Sequence, residues 1–88
     1  MEREIDLEGI IRKIPEGYRK VLFKGQAYGL SRKDFNQGKS TKVYAEELGG
    51  RDFISFNYYF TSHQNLLKPC EMPKSRVIDF MKAIDSQL

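Results

Sequence analysis

Apolar and polar residues alternate through the middle of this chain and then recur every three or four positions near its end. Alternation places successive side chains on opposite faces of a strand, and the longer period lines one face of a helix. Tyr18–Phe23 and Gln26–Ser31 flank Lys24-Gly25, a plausible two-residue hairpin turn. Thr41–Leu48 and Phe53–Phe60 flank Gly49-Gly50 in the same way. Between them, Ser31 to Gln37 is polar with Phe35 as an anchor, and Asn36-Gln37-Gly38 reads as a turn. Thr61 to Asn65 reads as a polar loop.

Val77, Phe80, Met81, Ile84 and Leu88 carry the strongest periodic signal and predict a helix over 73–88. Pro73 suits its first turn, where a missing N–H costs nothing. Leu7, Ile10, Ile11 and Ile14 predict a short helix within residues 1–14, weakened by Gly9 and ended by Pro15. Strands followed by a helix argue an α+β fold. The expectation is one domain over 1–88: an antiparallel meander of about four strands (18–60) backed by the C-terminal helix.

The Gly49-Gly50 turn sets a register. It places Thr41 opposite Tyr58, Val43 opposite Phe56 and Ala45 opposite Ile54, all on a face the helix can cover. The other face then shows Lys42, Tyr44 and Glu46 against Phe53, Ser55, Asn57 and Tyr59. The same register sets Glu47 against Asp52, an unfavourable pair that a bulge at Arg51-Asp52 would relieve.

Composition narrows the classes. The chain has 88 residues, 40% hydrophobic and 31% charged, with a formal net charge of +3. That is ordinary for a globular domain with a modest core, and mildly favourable to anionic partners. No apolar run reaches the length of a membrane span. The first residues lack the pattern of a secretory signal, and a lone Cys70 excludes an internal disulfide framework. Both features predict a reducing cytoplasmic setting.

The open face is the first candidate site. Tyr44, Phe53 and Tyr59 offer stacking surfaces for bases, Lys39, Lys42 and Arg51 could meet phosphates, and Asn57 could reach a base edge. Glu46 and Glu47 count against phosphate binding. The bland alternative is that a second subunit or the N-terminal segment covers this face. Gly38-Lys39-Ser40 imitates the end of a phosphate-binding loop, but the earlier glycine is missing and a strand follows, so a turn is expected.

Cys70 is the second candidate. It precedes a helix N-terminus and lies between Lys68 and Lys74, features that lower a thiol pKa, with Glu71 opposing them. His63 is the single histidine and could serve as a base. A small residue packed in the connector is the simpler account. One Cys and one His do not close a metal site, so neither a metal nor a cofactor is expected. Lys74 and Arg76 oppose the helix dipole in the first turn, which suggests an anion or acidic partner there, or two solvated side chains.

Gly38-Lys39-Ser40, Tyr44 to Gly50, Asp52 to Ser55 with Asn57-Tyr58-Tyr59, and Leu67 to Pro73 together resemble a small bacterial family of about this length. The resemblance covers roughly residues 15 to 85. Members are sometimes labelled peptide methionine sulfoxide reductase. That label would imply a thiol enzyme using Cys70. The Gly-Cys-Phe-Trp motif of A-type reductases is absent, as are the Arg-Tyr-Cys motif and paired Cys-x-x-Cys ligands of the B-type. No catalytic residue is carried over. The expected architecture also resembles Pur-type repeats, which dimerise and use their sheet for single-stranded nucleic acid, though without a shared motif. The leading expectation is therefore a non-enzymatic module binding single-stranded DNA or RNA. The rivals are a Cys70 enzyme and a structural homodimer.

Overall fold

Five strands hydrogen-bond in chain order as an antiparallel meander: β1 (Gly17–Phe23), β2 (Gln26–Phe35), β3 (Ser40–Glu47), β4 (Phe53–Tyr59) and β5 (Leu66–Pro69). Helix α1 (Leu7–Lys13) precedes the sheet and α2 (Lys74–Ile84) follows it. The computed structural model describes residues 5–61 and 65–88. The expected start of the N-terminal helix at residues 1–4, and His63, lie outside these residues.

One face of the sheet is the core wall. Val21, Leu30, Val43, Ala45, Ile54 and Phe56 point to it and meet Val77, Phe80, Met81 and Ile84 of α2. Phe80 packs edge-on against Phe23 at 5.0 Å and Tyr28 at 5.5 Å between ring centroids. Such T-shaped contacts are the favoured aromatic geometry. Ile10, Ile11 and Ile14 close the core from the α1 side.

The hairpin register matches the expectation at every pair: Thr41↔Tyr58, Val43↔Phe56 and Ala45↔Ile54. Lys24 and Gly25 both take positive φ, 51° and 79°, as a type I′ turn requires.

Several expectations need correction. The sheet has five strands, because Leu66–Pro69 adds to the edge of β4. Its four residues show no long alternation, and Pro69 is tolerated only because β5 is an edge strand. β2 runs to Phe35 rather than stopping at Ser31. Its inner positions there are charged. Arg32 donates to the Ile11 and Ile14 carbonyls at the end of α1 and pairs with Asp34 at 3.0 Å. Those partners let a polar stretch face inward.

No bulge interrupts β3–β4. Glu47 does lie opposite Asp52, and its N–H donates to the Asp52 carbonyl at 2.8 Å. The repulsion is relieved by partners instead. The Asp52 N–H donates to the Glu47 carboxylate, while the Asp52 carboxylate accepts from Tyr28 and pairs with Arg76. Arg76 thus finds its acidic partner within the chain. Pro73 is the N-cap of α2 rather than part of its first turn, and after Ile84 the chain tightens into a 3-10 turn over Asp85–Gln87.

Candidate nucleic-acid interface

The face of the sheet turned away from α2 carries side chains in ordered rows. Strand pairing fixes which residues stand beside each other across the sheet. One row runs Lys33–Lys42–Asn57–Lys68 over β2 to β5. Beside it runs Phe35–Ser40–Tyr59–Leu66. On its other side runs Tyr18–Ser31–Tyr44–Ser55, from β1 to β4. A fourth row is Lys20–Gly29–Glu46–Phe53. Rows two residues apart along a strand are separated by about 7 Å. A line of lysines therefore crosses the sheet between two rows bearing aromatic rings.

Charge on this face is one-sided. Among the strand residues, Lys20, Lys33, Lys42 and Lys68 lie on it against Glu46 alone. Glu47 belongs to the opposite face. Asp34 does too, where Thr41 and then Arg32 hold its carboxyl below the usual range. Lys33 and Lys42 stand directly opposite each other, an arrangement that destabilises a sheet unless an anion comes between them. The Lys33 ammonium lies 5.6 Å from the centre of the Phe35 ring.

The aromatics are held at the surface. Tyr18 is 66% exposed and Tyr44 37%, while Phe53 and Tyr59 are half-buried. A Cβ built on Gly29 would come within 2.6 Å of the Tyr18 hydroxyl and 2.7 Å of its ring. The Tyr18 ring therefore lies across β2 at the one position without a side chain. Tyr44 and Phe53 are near parallel, with centroids 6.3 Å apart and 29° between planes. Tyr18, Ser31, Lys33, Phe35, Lys42 and Tyr44, together with Glu16, Gly17 and Arg32, line an open cleft of about 640 Å³.

Of the residues expected in the site, Lys42, Tyr44, Phe53, Asn57 and Tyr59 share this face. Lys39 and Arg51 do not join the row. Lys39 caps the 3-10 turn before β3, and Arg51 sits in the turn after it. The eight residues of β3 separate them by roughly 26 Å at about 3.3 Å per residue. Lys39 lines a second hollow with Asn36, Tyr59 and Phe60. Lys20, Tyr18, Lys33, Phe35 and Lys68 were not assigned to this face from the sequence. Their signal was the alternation continuing through Ser31, Lys33 and Phe35, and the turn at Lys24-Gly25 that sets Tyr18 against Ser31.

Cys70 lies where β5 leads into α2, and its N–H donates to the Ser55 carbonyl at 2.9 Å. The Asn57 amide approaches its sulfur at 3.8 Å. Asn57 neither takes up nor releases a proton near neutral pH, so it cannot act as a base for the thiol. The described residues contain no group of three or more His, Cys, Asp or Glu able to hold a metal ion. No helix among them is long and apolar enough to cross a membrane. Comparison with protein-family models, curated proteins and solved structures returns no match to this chain.

Proposed function

We propose that this domain is a non-enzymatic module that binds single-stranded nucleic acid on the open face of its sheet. The observation that supports this most is the Lys33–Lys42–Asn57–Lys68 row set between two rows carrying aromatics. Phosphates would follow the lysines. Bases would stack on Tyr44, Phe53 and Tyr59, because every base has a π-face and stacking tolerates any sequence. The Asn57 amide, which stands between Lys42 and Lys68, would touch a base edge. A duplex hides its base faces and would gain only the charge term.

Fluorescence anisotropy of labelled single-stranded DNA and RNA, titrated at two salt concentrations, tests the proposal. Three lysine–phosphate contacts predict a log–log salt slope of about −2, at roughly 0.7 per contact for single strands. Changing Lys33, Lys42 and Lys68 together to glutamine should flatten that slope. Tyr44→Ala with Tyr59→Ala should weaken binding by about 1–3 kcal/mol per stacked base lost and leave the slope unchanged. Absence of binding at low salt, or a triple variant that binds like the parent, rejects the proposal.

A further inference from the structure

The lysine row ends in a way that gives the face a direction. It begins on β5 and stops at Lys33, because β1 starts at Gly17, opposite Arg32, and supplies no member to the row. At that end lies the cleft of Tyr18, Ser31, Lys33, Phe35, Lys42 and Tyr44. We propose that this cleft seats a terminal nucleotide carrying a phosphomonoester, so that the face recognises the phosphorylated end of a single strand. The inference rests on the reading of the face as a single-strand binder.

Three features support it. The first is charge density. Lys33 and Lys42 are opposed across one pair, whereas Lys68 is separated from Lys42 by Asn57. Along β2 and β3 on this face their neighbours are Phe35 and Ser40 on one side and Ser31 and Tyr44 on the other, and none of these is a carboxylate. Two cations in one spot suit a phosphomonoester, which carries about −1.5 to −2 at neutral pH, better than a diester with one charge.

The second is the rim. Glu16 is the one carboxylate of the lining; it precedes Gly17, which faces Arg32, so it stands beyond Lys33 at the end of the row. No ion pair joins it to Lys33 or Lys42 among the described residues, and its charge repels a backbone that would continue past β1. The third is the ring set. Tyr18 lies exposed with its ring across Gly29, Tyr44 stands in the same cross-strand row on β3, and Phe35 lies past Lys33 on β2. They bound a cleft whose volume falls within the usual range for small-ligand sites, about 300–1,000 Å³. The Ser31 hydroxyl donates to the Tyr44 carbonyl at 3.3 Å, which leaves its lone pairs able to accept from a donor such as a sugar hydroxyl.

The test compares one oligonucleotide in three forms, with a 5′-phosphate, a 3′-phosphate or neither, alongside adenosine 5′-monophosphate and inorganic phosphate alone. One phosphorylated form should bind about tenfold tighter than the bare strand, equivalent to 1.4 kcal/mol. Adenosine 5′-monophosphate should compete with it better than inorganic phosphate does. Lys33→Gln and Tyr18→Ala should each erase the preference, whereas Lys68→Gln should weaken all three forms alike. Glu16→Gln should narrow the preference by admitting internal positions. Equal affinity for the three forms, or a preference that survives both Lys33→Gln and Tyr18→Ala, overturns this inference while single-strand binding stands. Absence of binding by every oligonucleotide overturns both.

Discussion

Tyr28, Asp52 and Arg76 form the polar contact that ties the sheet to α2. The Tyr28 hydroxyl donates to Asp52 at 2.6 Å, and Arg76 pairs with the other carboxylate oxygen. Burial, then the bond to Asp52 and its charge, push the Tyr28 pKa up to about 12. The same hydrogen bond, with Arg76, holds Asp52 below its usual value. Each shift has a consequence for stability. Asp52 contributes fully above the unfolded carboxylate pKa of about 3.9, and its share is lost as pH falls through the lower folded value. Tyr28 contributes fully below about 10, and its share is lost as pH climbs through about 12. Tyr58, raised chiefly by burial, adds to the alkaline loss. Asp52→Ala leaves the buried Tyr28 hydroxyl without its acceptor and should cost about 1–3 kcal/mol in denaturant unfolding. Tyr28→Phe should flatten the fall in stability at high pH. A Tyr28→Phe protein that loses stability between pH 10 and 12 as steeply as the parent would show that this contact is not its source.

At the scale of elements, what the sequence disclosed followed from pattern strength. The turn at Lys24-Gly25 and the register counted from Gly49-Gly50 fixed two hairpins, although the tight turn of the second lies at Glu47–Gly50, where the Gly50 N–H donates to the Glu47 carbonyl at 3.4 Å. Val77, Phe80, Met81 and Ile84 fixed the inner face of α2. The second half of β2 was not legible, because Arg32 and Asp34 occupy inner positions where alternation leads one to seek apolar residues. Their partners, the carbonyls of Ile11 and Ile14, come from a distant element. β5 was missed because four residues ending in proline carry almost no strand signal. Gly9, which argued against α1, sits under the Asp6 cap. Asp6 accepts from the Gly9 N–H at 3.0 Å, and a Cβ on Gly9 would meet its carboxylate at 2.3 Å. Asp6→Ala should cost about 1 kcal/mol, a typical N-cap value, measured by chemical denaturation.

The edge of β1 is blunted by a side chain. The Leu22 N–H donates to Gln87 Oε1, and Gln87 Nε2 donates to the Leu22 carbonyl, both at 2.7 Å. An amide thus takes the place of a neighbouring strand at that point. Open edges invite pairing with another chain. Gln87→Ala should increase concentration-dependent self-association in sedimentation velocity, and a variant that sediments like the parent at every concentration would remove this role.

For the whole molecule, the two faces of the sheet divide the labour. One face buries Val21, Leu30, Val43, Ile54 and Phe56 under α2 and supplies stability. The other has no helix over it among the described residues and gathers cations and rings. This division was legible from the central hairpin, which placed Lys42, Tyr44, Phe53, Asn57 and Tyr59 together. The lysine row was not, since it needs the extended β2 and the added β5 to bring Lys33 and Lys68 into line with Lys42. Phe80→Ala separates the two roles. It should destabilise the fold by about 3–5 kcal/mol, as deletion of a buried ring does. Exposed Tyr44→Ala should leave the melting temperature nearly unchanged. A face buried in a homodimer would reverse that contrast, with Tyr44→Ala lowering the dimer's stability in a concentration-dependent way.

The most direct measurement is a chemical-shift map of the isotope-labelled domain titrated with a single-stranded oligonucleotide. If the open face binds nucleic acid, the perturbed residues will centre on Ser31, Lys33, Lys42, Tyr44, Asn57 and Lys68, with α1 and the outer side of α2 unmoved. A spectrum that does not change, or shifts confined to the helices, would contradict the assignment of this face.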